Sequence, residues 1–155
     1  MDNKKHILFG GCGGMYHYFL GVARVIQQKL DISDIIFSGV SAGNVPAMLL
    51  ALNIDIDTYF NENDIPFLKE VGNKMTKSVF NWNMFVKKLA NKILPNDVHK
   101  TLSNNYKFYI TTLPYIKSKM ITQWNSKENF IDTFIGSSFM PIFDRKLYQT
   151  LTIDN

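Results

Sequence analysis

The chain has 155 residues, of which 46% are hydrophobic and 14% aromatic, a composition typical of one globular domain with a buried core. The 17 basic and 13 acidic residues give a net charge of only +4, and there is no arginine-rich tract, so nucleic acid is not expected as a partner. The single cysteine, Cys12, excludes an internal disulfide and a cysteine-based zinc cluster. We therefore expect a single domain over residues 1–155, without a metal or an organic cofactor.

The apolar segments of the chain are short. The run in "MDNKKHILFGG" is too short for a signal peptide, and "VPAMLLAL" cannot span a bilayer. We expect neither a signal peptide nor a transmembrane helix, and a cytoplasmic or peripheral-membrane location.

The first quarter of the chain alternates strand and helix signals. "HILFGG" is typical of a short buried strand ending in glycines, and "MYHYFLGVARVIQQKL" has apolar residues at helical spacing. "DIIFSG" predicts a second strand, and "SAGNVPAMLLALN" a second helix, with Pro46 tolerated in its first turn. This β-α-β-α start predicts a parallel sheet covered by helices.

The remaining chain carries one clear helix signal and several strand signals. Residues 55–75 are weakly patterned and predict short helices and loops. "FNWNMFVKKLANKIL" (residues 80–94) predicts an amphipathic helix with two distinct faces. "KFYITTLP" and "KSKMITQW" predict two strands that could be neighbours, "ENFIDTFIGSSFMPIF" a helix running into a proline turn, and "LYQTLTID" a final strand. On the amphipathic helix, the predicted apolar face is Trp82, Phe85, Val86, Leu89 and Ile93, and the polar face is Lys87, Lys88, Asn91 and Lys92.

The segment Gly39-Val40-Ser41-Ala42-Gly43 matches G-x-S-x-G between a predicted strand and a predicted helix. Glycines on both sides allow a turn tight enough to expose the serine oxygen. The start of the following helix directs N–H groups and the positive end of its dipole to the same place. This pattern predicts that Ser41 is a nucleophile.

A nucleophilic serine needs a base, and the histidines are poorly placed for one. His6 lies in the first predicted strand, His17 in the first helix, and no histidine follows His99. A serine–acid–histidine order, usual in α/β-hydrolases, is therefore not met. The alternatives are a serine–aspartate dyad, in which a carboxylate takes the serine proton directly, and an esterase that uses His99.

A second glycine cluster, "FGGCGGMYHY", also lies between a strand and a helix. Its backbone N–H groups could bind an oxyanion or a phosphate. The spacing breaks the dinucleotide-binding pattern G-x-G-x-x-G at Tyr16, and the next strand does not end in an acidic residue. An oxyanion-binding loop paired with Ser41 is the favoured interpretation, and a simple tight turn is the alternative.

These two segments together resemble the opening of the patatin-like phospholipases, most closely the adiponutrin and triglyceride-lipase branch. The later segments "LPNDVHKTLSNNYKFYITTLP", "WNSKENFIDTFIGSSFMPIF" and "TIDN" follow in the order and spacing of that branch. The resemblance implies an α/β class, as a three-layer α/β/α domain with a mainly parallel central sheet. It further implies hydrolysis of fatty acyl esters of phospholipids or acylglycerols, without a catalytic histidine.

The same resemblance assigns the site residue by residue. Ser41 matches the nucleophile, with Gly39 and Gly43 in its elbow, and Asp154 matches the catalytic aspartate. The backbone amides of the glycine loop match the oxyanion hole. Asp132 and Asp144 fit the role of the aspartate less well, because Asp132 lies in a helical pattern and Asp144 in a charged turn. The loop residues are Gly11, Cys12, Gly13 and Gly14.

The end of the chain departs from the family pattern. Asn155 stands where the family has glycine after the aspartate, and the sequence stops there, so we expect the C-terminal part of the domain to be missing. Besides a lipase or phospholipase A acting at a membrane or lipid-droplet surface, this departure allows a catalytically inactive lipid-binding module with the same fold.

Overall fold

A computed structural model describes residues 4–73, 81–103, 105–112 and 117–138. The chain begins with two strand–helix units, in the order β1 (Lys5–Phe9), α1 (Tyr16–Lys29), β2 (Ile35–Val40) and α2 (Asn44–Ala51). A short 3-10 turn precedes each helix, at Gly13–Met15 and Ser41–Gly43. The predicted β-α-β-α start is confirmed, and both glycine clusters lie in turns between a strand and a helix.

Short helices follow, as expected for the weakly patterned stretch. They are α3 (Ile56–Tyr59), a π-helical turn (Phe60–Asp64) and α4 (Ile65–Asn73). Helix α3 begins where it does because the Asp55 carboxylate accepts the N–H of Thr58 at 2.7 Å, a typical N-terminal cap. The predicted amphipathic helix is confirmed as α5 (Trp82–Ile93), and the short α6 (Val98–Leu102) comes next.

The second half of the described chain completes the sheet with β3 (Tyr106–Thr112) and β4 (Lys117–Ile121), followed by α7 (Lys127–Ser137). The strand order is β1-β2-β3-β4. The first three strands are parallel and β4 runs antiparallel to β3, so the two strands predicted as possible neighbours are indeed paired. The α/β class with a mainly parallel sheet and flanking helices is confirmed.

One face of the sheet forms the core. Phe9, Phe37 and Phe108 point to this face and are buried. The ring of Phe9 contacts Phe19 of α1 at 5.6 Å between centroids, and the ring of Phe108 contacts Phe130 of α7 at 6.2 Å. Burial of these rings against α1 and α7 stabilises the packing of both helices on the sheet.

The opposite face is open over parts of β1 and β4. Leu8 and Met120 point to it and are 59% and 48% exposed. The predicted final strand over residues 147–154 and the proline turn at Pro141 lie outside the described residues. None of the helices in the described ranges is both long enough and apolar enough to cross a membrane.

Candidate active site

Ser41 lies directly after β2 in a strained backbone conformation. Its φ angle is +52°, in the left-handed region that costs an L-residue about 1–2 kcal/mol. Two close approaches explain the glycines beside it. A Cβ atom at Gly39 would lie 2.5 Å from the Cα of Asn44, and one at Gly43 would lie 2.2 Å from the carbonyl oxygen of Gly10. The turn therefore has the geometry of a nucleophile elbow, in which only glycine fits on either side of the serine.

A hydrogen-bond network centred on Asn44 and Ser137 stabilises this elbow. Ser137 at the end of α7 accepts the backbone N–H of Ser41 at 3.0 Å and the side-chain amide of Asn44 at 3.1 Å. Its own hydroxyl donates to the carbonyl of Tyr109 at 3.2 Å. The Asn44 amide also donates to the carbonyl of Ser41 at 2.9 Å, and its oxygen accepts the hydroxyl of Tyr106 at 2.8 Å. Asn44 is completely buried, so this satisfied network favours a single elbow conformation.

The glycine loop lies next to the elbow. A Cβ atom at Gly11 would be 3.8 Å from the Cβ of Ser41, which is ordinary van der Waals contact. Gly13 has a φ angle of +51°, and the N–H of Met15 donates to the carbonyl of Cys12 at 3.0 Å. The Cys12 side chain is partly buried, and this burial raises the pKa of its thiol, so the thiol stays protonated near neutral pH. The loop thus brings its backbone beside the serine, as an oxyanion-binding loop requires.

An apolar cavity of about 370 Å³ opens beside the elbow and the loop. Ser41, Gly13 and Gly14 line it together with Tyr16, Tyr59 and Ser138. The remaining lining is apolar and comes largely from α4 and α5. Its size and apolar character are typical of a site for a small apolar ligand or one part of a larger one. The lining residues from α4 and α5 include Phe67, Val71, Trp82, Val86, Leu89 and Ile93.

The apolar face of α5 therefore faces the cavity, and its polar face is exposed. Lys87 pairs with Asp132 at 3.3 Å and Lys88 with Glu70 at 2.9 Å. Such exposed ion pairs contribute little to stability, about 0–1 kcal/mol each. The amphipathic pattern of α5 is explained by a cavity wall on one side and water on the other.

A cluster of polar side chains around Asp64 was not predicted from the sequence. Asp64 is completely buried at the end of the π-helical turn, accepts the hydroxyl of Tyr16, and lies 2.9 Å from Nε2 of His17. Burial first, and then the Asp64 carboxylate, raise the pKa of Tyr16 and of Tyr59 well above the ordinary value, so both phenols stay protonated. The asparagine-rich text around Asp64 gives no local signal of burial.

Comparison with known proteins finds distant relatives. Human patatin-like phospholipase domain-containing protein 4 is 27% identical over 147 residues, which are 90% of this chain and 58% of that protein. Human patatin-like phospholipase domain-containing protein 2 is 26% identical over 152 residues, 92% of this chain and 29% of that protein. The chain is a distant homologue of the patatin-like phospholipase domain proteins.

A further patatin-like relative bears a transferase name. The mouse 1-acylglycerol-3-phosphate O-acyltransferase is 21% identical over 148 residues, 92% of this chain and 36% of that protein. The chain thus spans between 29% and 58% of the length of these relatives. No protein-family model matches the chain, and no solved structure matches it.

The acid expected from the patatin-like pattern, Asp154, lies outside the described residues, as does Asp144. Asp132 is exposed in α7 and paired with Lys87.

Of the histidines, His6 lies 2.8 Å from the hydroxyl of Ser38 and His17 contacts Asp64. His99 lies in α6, and its Nδ1 is buried without a hydrogen-bond partner among the described residues. In the described part of the chain, Ser41 and two residues of the glycine loop, Gly13 and Gly14, line one cavity.

Proposed function

We propose that the chain is part of a single patatin-like domain that cleaves fatty acyl esters of phospholipids or acylglycerols. The observation that carries the proposal is the strained elbow of Ser41, with its φ angle of +52°, at the opening of an apolar cavity. A strained serine far from any cavity would have no bound substrate to attack. An apolar cavity without a nucleophile would bind an apolar ligand but not cleave it. Together they favour acyl transfer from a lipid.

In the proposed reaction, Asp154 accepts the proton of the Ser41 hydroxyl while the serine oxygen attacks the ester carbonyl. The backbone amides of residues 11–14 donate to the oxyanion that forms. Collapse of this intermediate releases the alcohol, which takes the proton from Asp154, and leaves an acyl-serine ester. Water then loses a proton to Asp154, attacks the acyl-serine, and releases the fatty acid. The regenerated serine recovers its proton, so the cycle closes without a cofactor.

The cavity supports a long acyl chain as the group that is transferred. Its lining from α4 and α5 consists of aliphatic and aromatic side chains, which would remove an alkyl chain from water at about 0.8 kcal/mol per buried CH₂ group. Since Ser41 and the glycine loop line the same cavity, an acyl chain placed there would bring its carbonyl to the nucleophile. A charged group or a sugar placed inside this cavity would find few polar partners.

Substrates of this kind lie in membranes or lipid droplets, so the proposal includes contact with a lipid surface. Met15 and Tyr18, which flank the start of α1, are 69% and 67% exposed, and Met84 of α5 is 59% exposed. Replacing Met15 and Tyr18 by glutamate should reduce binding to phospholipid vesicles, measured by flotation, without unfolding the protein. The same exchange at Val25, on the exposed surface of α1, is the control.

The experiment that tests the proposed function is labelling by a fluorophosphonate probe, followed by ester turnover. We expect covalent labelling that disappears in Ser41→Ala, and release of fatty acid from a phospholipid or acylglycerol that disappears in Asp154→Asn. His99→Ala should change turnover less than threefold; a complete loss would point instead to a histidine-dependent esterase. Turnover with added lysophosphatidic acid or glycerol shows whether water or an alcohol receives the acyl group.

An inactive lipid-binding module is the second candidate, because the cavity would bind an acyl chain whether or not the dyad works. It predicts a folded protein that takes up a fluorescent fatty acid but is not labelled by the probe. Binding without labelling would therefore overturn the hydrolase proposal.

A further inference from the structure

The second half of the glycine loop has open space beside it, whereas Gly11 contacts the elbow. A Cβ atom added at Gly13 or Gly14 would meet no atom within 4 Å, so there is open space on that side of both residues. Within the loop, the N–H of Met15 bonds to Cys12, and the N–H of Tyr16 bonds to Gly13. Two such local bonds do not fix the position of a loop relative to a serine on another element. Contacts beyond the loop must do so.

The residues that directly follow the loop are tied to Asp64. Tyr16 and His17 are the first residues of α1, and both reach the same carboxylate. Asp64 is completely buried, and its place in the chain lies 47 residues after His17, in the π-helical turn that follows α3. This carboxylate also contributes to the raised pKa of Tyr59, at the end of α3, after the effect of burial. Within the described ranges, His17 is the basic side chain that contacts Asp64, with its Nε2 2.9 Å from the carboxylate.

This cluster borders the candidate active site. Tyr16 and Tyr59 line the cavity that Ser41, Gly13 and Gly14 also line. Loss of the bond from Tyr16 to Asp64 would free the start of α1 to move with the glycine loop, whereas the elbow has separate anchors in Asn44 and Ser137. A buried carboxylate that receives several donors is costly to assemble and stiffens the elements it joins.

We propose that Asp64 is a positioning residue for the glycine loop, acting through Tyr16 and His17. Its effect on catalysis rests on the proposed function, in which the loop amides stabilise the oxyanion. Asp64 itself does not contact the substrate in this arrangement. A displacement of the loop by about 1 Å can lower the rate of a reaction on the order of a hundredfold, so the cluster would act mainly on kcat.

The test compares Tyr16→Phe and Asp64→Asn with Asp57→Asn. Asp57 of α3 pairs with Arg24 of α1 at 2.7 Å and is exposed, so it also links α3 to α1, but away from the loop. Amide hydrogen exchange measured by NMR reports on the loop directly, through the N–H groups of Met15 and Tyr16. We expect exchange of these two amides to become at least tenfold faster in Tyr16→Phe and in Asp64→Asn. Amides of β2 and α2, and all amides in Asp57→Asn, should change less than twofold.

The kinetic measurement uses the same proteins. If the loop binds the oxyanion, kcat falls at least tenfold in Tyr16→Phe while KM stays within twofold, and Asp57→Asn keeps the original values. Should Asp64→Asn not fold, Tyr16→Phe alone decides, because it keeps the volume of the ring. Unchanged exchange of Met15 and Tyr16 in the folded variants, or equal acceleration in Asp57→Asn, would overturn the proposal. A parent chain that the fluorophosphonate does not label would overturn the proposed hydrolase function, while the exchange data would still decide the role of Asp64.

Discussion

The two glycine-containing turns of this protein look alike in sequence but are held in different ways. At the elbow, Gly39 and Gly43 are required because backbone atoms of Asn44 and Gly10 occupy the space of a Cβ atom. At the glycine loop, Gly13 and Gly14 have open space around them. The elbow is fixed by close packing and a buried hydrogen-bond network, whereas the loop depends on the anchoring of the first residues of α1. Glycine thus permits close approach in one turn and, at Gly13, a φ angle of +51° in the other.

The sharpest test of this difference is an alanine at each turn. In Gly43→Ala the new methyl group would lie 2.2 Å from the carbonyl oxygen of Gly10, and backbone cannot move aside as a side chain can. We expect a loss of about 3 kcal/mol or more in the free energy of unfolding, or failure to fold. Gly14→Ala should change it by less than about 1 kcal/mol. Urea unfolding followed by tryptophan fluorescence measures both, and equal losses would contradict the distinction between the turns.

Removal of one hydroxyl tests the hydrogen-bond network of the elbow. Ser137→Ala leaves the N–H of Ser41, the Asn44 amide and the Tyr109 carbonyl without a shared partner. A buried donor or acceptor left unsatisfied costs about 1–3 kcal/mol, so the free energy of unfolding should fall by that amount. Fluorophosphonate labelling of Ser41 should also slow.

The neighbouring serine is a matched control for that hydroxyl. The Ser138 Oγ is buried and has no hydrogen-bond partner among the described residues. Ser138→Ala should therefore leave the free energy of unfolding unchanged or slightly higher, because it removes an unsatisfied polar group. A loss in Ser138→Ala as large as in Ser137→Ala would show that the hydroxyl of Ser137 has no special role.

The backbone strain at Ser41 predicts a difference between two inactive variants. Both Ser41→Ala and Ser41→Gly remove the hydroxyl, but only glycine adopts a φ angle of +52° without a steric penalty. Ser41→Gly should be more stable than Ser41→Ala by about 1 kcal/mol in urea unfolding. Equal stabilities would mean that the turn relaxes when the serine is absent.

Local signals in the sequence predicted most elements but not the contacts that hold the site. The elbow, the glycine loop and α5 are recognisable because glycine spacing and helical periodicity are properties of neighbouring residues. Asn44 gave no such signal, because its role depends on Ser137, 93 residues later in the chain. Asp64 was equally hidden, since nothing near it indicates that a charged residue there is buried by Tyr16 and His17. The predicted roles of Asp154 and of the loop amides stay predictions.

The smallest expected effect concerns His6, which joins the strands that lead into the two turns. His6 of β1 lies 2.8 Å from the hydroxyl of Ser38 in β2. Desolvation, and then the charge of Lys107, lower the pKa of His6 below its ordinary value of 6.5. The folded protein thus binds this proton less readily than the unfolded chain does. The contribution of neutral His6 to stability is therefore fully present above pH 6.5 and is lost as the pH falls through the lower pKa of the folded state.

Urea unfolding of the parent chain and of His6→Gln between pH 5 and 8 isolates this contribution, because the other titrating groups cancel in the difference. We expect the stability advantage of the parent chain to shrink as the pH falls, by a small amount since His6 is exposed. High salt should weaken the part that arises from Lys107, whereas the part from desolvation should remain. A difference that is independent of pH would mean that His6 joins β1 to β2 by packing rather than through this hydrogen bond.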